Sequence, residues 1–328
     1  MLKIVITVLL FNLLLLAQTL QETFTQRGGE HNGLFLNPTY LLNSPSMQKR
    51  FNIKLLNSSF ILDQKSFQFI QELEKAEGNQ EISELLKKNI GKRLSISAHN
   101  FSSFHKITDP FSYSLGVGQS SNGLFIPHSG FGSSRAMESH IQNYKLLMGT
   151  AIFKKEHLRY GANLKWIEEA ITHYNYSLSE MATEKSLWNY FENRHTKKRS
   201  QLAFDLGASY YFSQDLLNTQ LSFALLNVGN TSSQKAGGLQ QTTTIGLSFE
   251  PKKTHIKIDY FNKKLRADIS KNIFNNTLTI HSGLIYNALS FGLNYKFSLF
   301  NVGFFSYKIE NYQQHIERKN ELSLEVTW

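Results

Sequence analysis

The sequence has no cysteine among its 328 residues, which excludes disulfide staples, thiolate metal centres and cysteine nucleophiles. Long apolar runs are missing too. Beyond residue 17 nothing approaches the ~18 apolar residues of a membrane-crossing helix, and a hydrophobic content of 41% argues equally against a helical membrane bundle. Catalytic signatures are lacking as well. The 11 histidines are scattered, with no HExxH or other close ligand spacing. Gly116-Val117-Gly118 is a lone glycine pair within a strand, which close packing explains better than phosphate binding. Glu168 and Glu169 are adjacent, so their side chains leave a strand on opposite faces and cannot form a catalytic dyad. No catalytic residue, metal ligand or cofactor is expected.

The N-terminus supplies an address. Met1 to Ala17 carries a basic residue at Lys3 and an apolar run from Ile4 to Leu16, broken only by Thr7 and Asn12, before the small Ala17. This reads as a cleaved signal peptide. The run falls short of the roughly 20 residues that a permanent helical anchor needs, and the lack of any cysteine after it closes the lipoprotein route.

What the exported chain does possess is aromatic side chains, 25 Phe and 14 Tyr, and alternation. In Leu289 to Phe297 the odd positions are Leu, Phe, Leu, Tyr and Phe, and the even ones Ser, Gly, Asn and Lys. The same period of two runs through Tyr160, Leu164 and Trp166, through Leu202 to Phe212, and through Ile245, Leu247 and Phe249. A soluble sandwich also alternates, but its polar face would rarely hold so much glycine. A transmembrane barrel accounts for both faces, since half of each strand meets lipid and half a wet or plugged lumen. The expected fold is therefore all-β, an antiparallel up-and-down transmembrane β-barrel of about 14 strands in the bacterial outer membrane. The chain ends on Leu322, Leu324, Val326 and Trp328, one greasy face running into a terminal aromatic. That ending reads as the signal taken up by barrel-assembly machinery during biogenesis.

Strands are placed at 50–60, 93–104, 111–119, 134–155, 159–176, 200–212, 219–228, 241–250, 254–261, 264–270, 276–286, 289–297, 302–310 and 319–328. With the C-terminus in the periplasm, the long connections 177–199 and 229–240 then fall outside the cell and the short ones inside. Two segments break the rhythm within the barrel region 50–328 and its lead. Residues 64–90 have apolar positions Phe67, Ile70, Leu73, Ile82, Leu85, Leu86 and Ile90 at helical spacing. They are read as an extracellular helical cap over the barrel mouth, which either gates an opening or packs on the rim, the latter being preferred. Residues 18–49, with Gly28, Gly29, Gly33 and the motif Asn37-Pro38, precede the first strand and form either an inward plug or a disordered lead. Pro38 lacks a donor and makes this piece a poor ladder strand.

An exported chain with an Asn-Pro motif in an N-terminal plug segment, an early helical excursion and about 14 strands resembles the FadL-type long-chain fatty acid transporter superfamily. Arg159-Tyr-Gly-Ala-Asn-Leu-Lys-Trp166, Ala203 to Phe212 and Ser222 to Gly229 resemble its strands, including those of the conjugal-transfer TraF-like and secretion-associated PorV-like branches. In the transporter branch a plug and a kinked strand open a lateral path for hydrophobic molecules. Here Thr39 stands where the family usually has Ala, and the plug is short.

Lumen-facing candidates are Lys165, Asp205, His255, Lys257, Asp259, Arg266, Asp268, Asn294, Lys296, Lys308 and Glu310. Their mixed signs suggest internal ion pairs rather than a filter of one sign. His99, His105, His255 and His281 read as polar lumen or loop residues. The net charge of +10 would suggest nucleic acid in another setting, but an outer-membrane address makes it improbable. Basic pairs such as Lys154-Lys155, Lys197-Lys198, Lys252-Lys253 and Lys263-Lys264 meet lipid phosphate and surface glycolipid, or are simply solvated loop tips. Two functions from different classes stay open. One is a passive conduit for small hydrophobic molecules. The other is a non-transporting structural or docking barrel for an envelope assembly, secretion or surface-attachment system, engaging a protein partner through extracellular loops where Trp188, Tyr190 and Phe191 would be anchors.

Overall fold

The computed structural model describes residues 34–43, 51–128, 135–183, 196–212, 217–229, 241–251, 254–261, 264–275, 277–285, 288–310 and 316–328. The expected signal peptide 1–17, the glycines at 28, 29 and 33, and the loop aromatics Trp188, Tyr190 and Phe191 lie outside the described residues. Fourteen antiparallel strands close on themselves, each pairing with its sequence neighbours and the first with the last. They are β1 Phe51–Leu62, β2 Leu94–Lys106, β3 Phe111–Pro127, β4 Met137–Lys155, β5 Leu158–Tyr176, β6 Thr196–Tyr211 and β7 Gln220–Val228. The circuit continues through β8 Thr242–Phe249, β9 Thr254–Phe261, β10 Lys264–Ile273, β11 Leu278–Ile285, β12 Ala288–Phe297, β13 Phe300–Glu310 and β14 Ile316–Thr327. Closure leaves no edge whose backbone groups would lie unpaired in hydrocarbon. The ring shuts where Ser59 faces Ser323 and Ile61 faces Glu321.

Period-two alternation decides which way each residue points. Leu147, Trp166, Phe204, Leu206, Leu293 and Phe304 expose between 41% and 52% of their surface on the outside. An apolar belt of that kind would drive association in water and is satisfied by lipid. Aromatics mark its lower edge, the end where β1 begins and β14 finishes: Phe274, Phe297 and Trp328 are 75%, 66% and 72% exposed. At the upper edge Trp166 is followed by the outward pair Lys145–Glu168, 3.5 Å apart.

Strand length is uneven around the ring. β4 and β5 each run for 19 residues, whereas β8 and β9 have 8. A tilted strand needs ~9–11 residues to span the membrane, so the upper ends of β3 to β5 stand clear of the lipid. The outer face of this raised wall is covered by helices α1 Gln64–Lys75, α2 Gly78–Lys88 and the short α3 Leu178–Thr183. Asp63 caps α1 by accepting from the Ser66 amide at 2.8 Å. Phe69, Ile82, Leu85 and Leu86 bury against Leu94, Ile96, Phe125, Met137 and Tyr176.

Those strand residues belong to the outward series that meets lipid lower down, so the pair leans on the outside of the wall rather than across the mouth. The buried stripe of α1 passes through Phe69, while Phe67 is 49% exposed and Ile90 52%. β3 also extends past the expected end at 119 to Pro127. Over Ser120 to Gly123 its outward face meets protein instead of lipid, so the apolar signal fades although the ladder continues.

Candidate functional site

Residues 34–43 lie inside the barrel. Leu34, Phe35, Leu36, Asn37, Thr39, Tyr40 and Leu41 are all buried. The turn is local in origin: the Asn37 side-chain oxygen accepts from the Thr39 amide at 2.9 Å and its hydroxyl at 2.8 Å. Pro38, with its φ preset, then opens a single 3-10 stretch, Pro38–Asn43. The Asn37 amide nitrogen donates outward to the Phe223 carbonyl at 3.0 Å and the Ala208 carbonyl at 3.4 Å, tying the turn to β6 and β7.

Room for this turn comes from two glycines that face each other across β5 and β6, Gly161 and Gly207. A Cβ at Gly161 would stand 2.8 Å from Pro38 Cβ, and one at Gly207 would collide with the Asn37 side-chain oxygen and sit 2.8 Å from Pro38 Cδ. The turn and the notch therefore fit only as a pair. Phe35 and Leu41 join an apolar cluster with Phe101, Tyr144, Met148 and Ile167, while Leu36 and Tyr40 pack with Ala224, Leu226 and Phe261.

Polar groups complete the seat. Asn163 donates to the Leu34 carbonyl at 3.0 Å and to Asp205 at 2.9 Å. Thr244 donates to the Leu36 carbonyl at 2.7 Å. Tyr40 donates to Asp259 at 3.1 Å, and its ring lies 4.1 Å beneath the Lys257 ammonium. Lys165 and Asp205 form an ion pair at 2.6 Å with both side chains fully buried. It is reinforced by hydrogen bonds: Lys165 also donates to Asn227 at 2.7 Å, and the Asn227 amide donates to Asp205 at 2.9 Å. Lys54 pairs with Glu325 at 2.8 Å near the closure. Glu169 is buried among Tyr144, Gln142 and Arg199, while Glu168 points outward, so the two adjacent carboxylates serve opposite faces.

No protein-family model matches the sequence, and no curated protein aligns with it. Solved structures do. The toluene transporter TodX of Pseudomonas putida matches with a TM-score of 0.53 and 12% identity, over 92% of this chain and 93% of its own. What the two have in common is the barrel fold. A deltaS2 mutant described as a TodX monoaromatic hydrocarbon channel gives 0.50 and 11% over 91% and 93%. The toluene transporter TbuX of Ralstonia pickettii gives 0.50 and 10% over 84% and 87%. At such identities it is the closed 14-strand architecture that is shared, and these neighbours are transporters and channels by description, not enzymes.

The remaining lumen candidates stand on β9, β10 and β12. Arg266, Asp268 and His255 stand in the inward series of β9 and β10, with Arg266 over the Phe261 ring at 5.1 Å. Asp268 and His281 are 3.6 Å apart and keep 24% and 17% of their surface exposed. Asn294 lies 3.3 Å from the same histidine, and Lys296 belongs to the inward series at the lower end of β12. Lys308 does not join them. It shares parity with Val302 and Phe304, which are exposed outward, while the Glu310 side chain lies outside the described residues. The inward places on β13 are taken by Phe305 and Tyr307, each 1% exposed. Neighbouring Phe304 and Phe305 look alike in sequence, and only the space above Gly292, where a Cβ would strike the Phe305 ring, tells them apart.

One cluster escaped the sequence reading. At the upper mouth, beyond the lipid belt, Glu138 receives three imidazoles: His140 at 2.8 Å, His173 at 3.0 Å and His128 at 3.3 Å. Burial works to raise the Glu138 carboxyl, and the hydrogen bonds from the three histidines outweigh it, holding the group below its ordinary value. Burial and the neighbouring His173 hold His140 below its own. The available signal was Glu138-Ser139-His140, two residues on one face of a strand. Its partner His173 comes from the facing strand, which a search for spacing along one segment cannot find.

Proposed function

We propose that this protein is an outer-membrane conduit for small hydrophobic molecules, with residues 34–43 as its plug. The observation that carries the reading is the seat itself: Asn37-Pro38-Thr39 lodged in the Gly161/Gly207 notch of a barrel shared with toluene transporters. Since residues 34–41 are buried against the wall, passage in this reading requires the turn to give way. In this reading the long connections and helices face the cell exterior, where the basic loop tips meet surface glycolipid, and the Leu322 to Trp328 ending is what the assembly machinery reads.

The test is uptake. Cells or liposomes carrying the protein should accumulate toluene or a similar monoaromatic hydrocarbon faster than controls without it, while sugars of comparable size gain nothing. Asn37→Ala, which loosens the turn, should alter the hydrocarbon rate. Equal hydrocarbon uptake with and without the protein overturns the proposal.

A further inference from the structure

We propose that Glu138, His140 and His173, with His128 alongside, form a binding site for a divalent transition metal at the upper mouth. Glu138 and His140 are two residues apart on β4 and so share its inward face, and the strand register sets His173 directly opposite His140. The two imidazoles stack with ring centroids 4.2 Å apart, and both aim Nε2 at the same carboxylate oxygen. Ligand atoms of the three residues all lie within 4.8 Å of one another. Zinc bonded at ~2.0–2.1 Å in tetrahedral geometry holds its donor atoms about 3.3–3.5 Å apart. The present separations of 2.8 and 3.0 Å therefore have to open by only a few tenths of an ångström.

The side chains can make that adjustment, being 16%, 30% and 51% exposed for Glu138, His140 and His173. His128 approaches the other carboxylate oxygen at 3.3 Å and supplies a further nitrogen. Arg135, 47% exposed, contacts that same oxygen at 3.4 Å and would have to yield it. Imidazole nitrogens with a single carboxylate favour zinc, nickel or copper(II) over magnesium or calcium, which seek all-oxygen shells. A bound ion would replace two hydrogen bonds by coordinate bonds and clamp the tops of β3, β4 and β5, the wall that rises above the membrane. None of these residues touches 34–43, so the site stands or falls independently of the conduit.

The experiment uses the full chain without an affinity tag, purified in detergent and stripped with EDTA, titrated calorimetrically with Zn2+ and followed in the visible region with Co2+. One ion per chain is expected, with the absorption bands of low-coordinate cobalt. Replacing two ligands in His140→Ala/His173→Ala should weaken Zn2+ binding beyond the ~10–100-fold typical of losing an outer-shell partner. The half-exposed His173→Ala alone guards against a folding defect and should also weaken it. His157→Gln, in the turn at the opposite end, should leave affinity unchanged. Absence of stoichiometric uptake by the unaltered protein, or uptake that persists in the double variant, overturns the proposal.

Discussion

The two sides of this lumen solve the problem of inward polar residues in different ways. Against β5 to β8 the 34–43 segment seals the wall, and Lys165 and Asp205 are 0% exposed. Such a pair offsets its dehydration through further hydrogen bonds, which Asn227 makes with both partners and Asn163 with Asp205. Across β10 and β11 Asp268 and His281 keep contact with solvent and stand at a loose 3.6 Å. The lesson is that charge in a barrel interior is structural where the plug covers it and nearly neutral to stability where water reaches it.

The sharpest way to break this comparison is Asp205→Ala, which strands the Lys165 ammonium in a dry pocket. A loss of about 3–5 kcal/mol is expected in denaturant unfolding of the detergent-solubilised barrel. Replacing both partners with apolar residues should cost distinctly less. Next is Gly207→Val, which drives a branched side chain into the Asn37-Pro38 turn at a cost of ~1–3 kcal/mol. Because the chain has no cysteine, a Thr39→Cys probe reports directly: thiol labelling should be slow in the parent barrel and fast once Gly207 is enlarged. Asn37→Ala removes its hydrogen bonds to the Phe223 and Ala208 carbonyls and should cost about 1 kcal/mol while raising the same labelling rate. Smallest of all, Asp268→Asn on the wet side should change stability by less than ~1 kcal/mol. A cost there equal to that of Asp205→Ala would end the distinction between the two sides.

Much of the barrel was legible because alternation is a local record of which side meets lipid. Leu289 to Phe297 could be read without any knowledge of its neighbours. Legibility failed where that record is overwritten. The upper half of β3 has helices outside it instead of lipid, and in β13 the consecutive Phe304 and Phe305 left parity undetermined, sending Lys308 to the wrong face. In α1 a helical spacing satisfied by Phe67 was equally satisfied by Phe69, and only the wall it leans on chose between them. Asn37 and Pro38 were recognisable as a motif and their partner glycines were not, since glycine in a strand carries no trace of what approaches it.

By itself the sequence determined the strand count, the closed antiparallel class and the lipid-facing side of most strands, because each follows from period-two chemistry within a short stretch. Only the tertiary structure decided what fills the lumen and what meets at its mouth. Asn37 reaching Gly207, Lys165 reaching Asp205 and Asn227, and His173 reaching Glu138 all depend on closure and register across strands, which fix distances that spacing along a single segment does not encode.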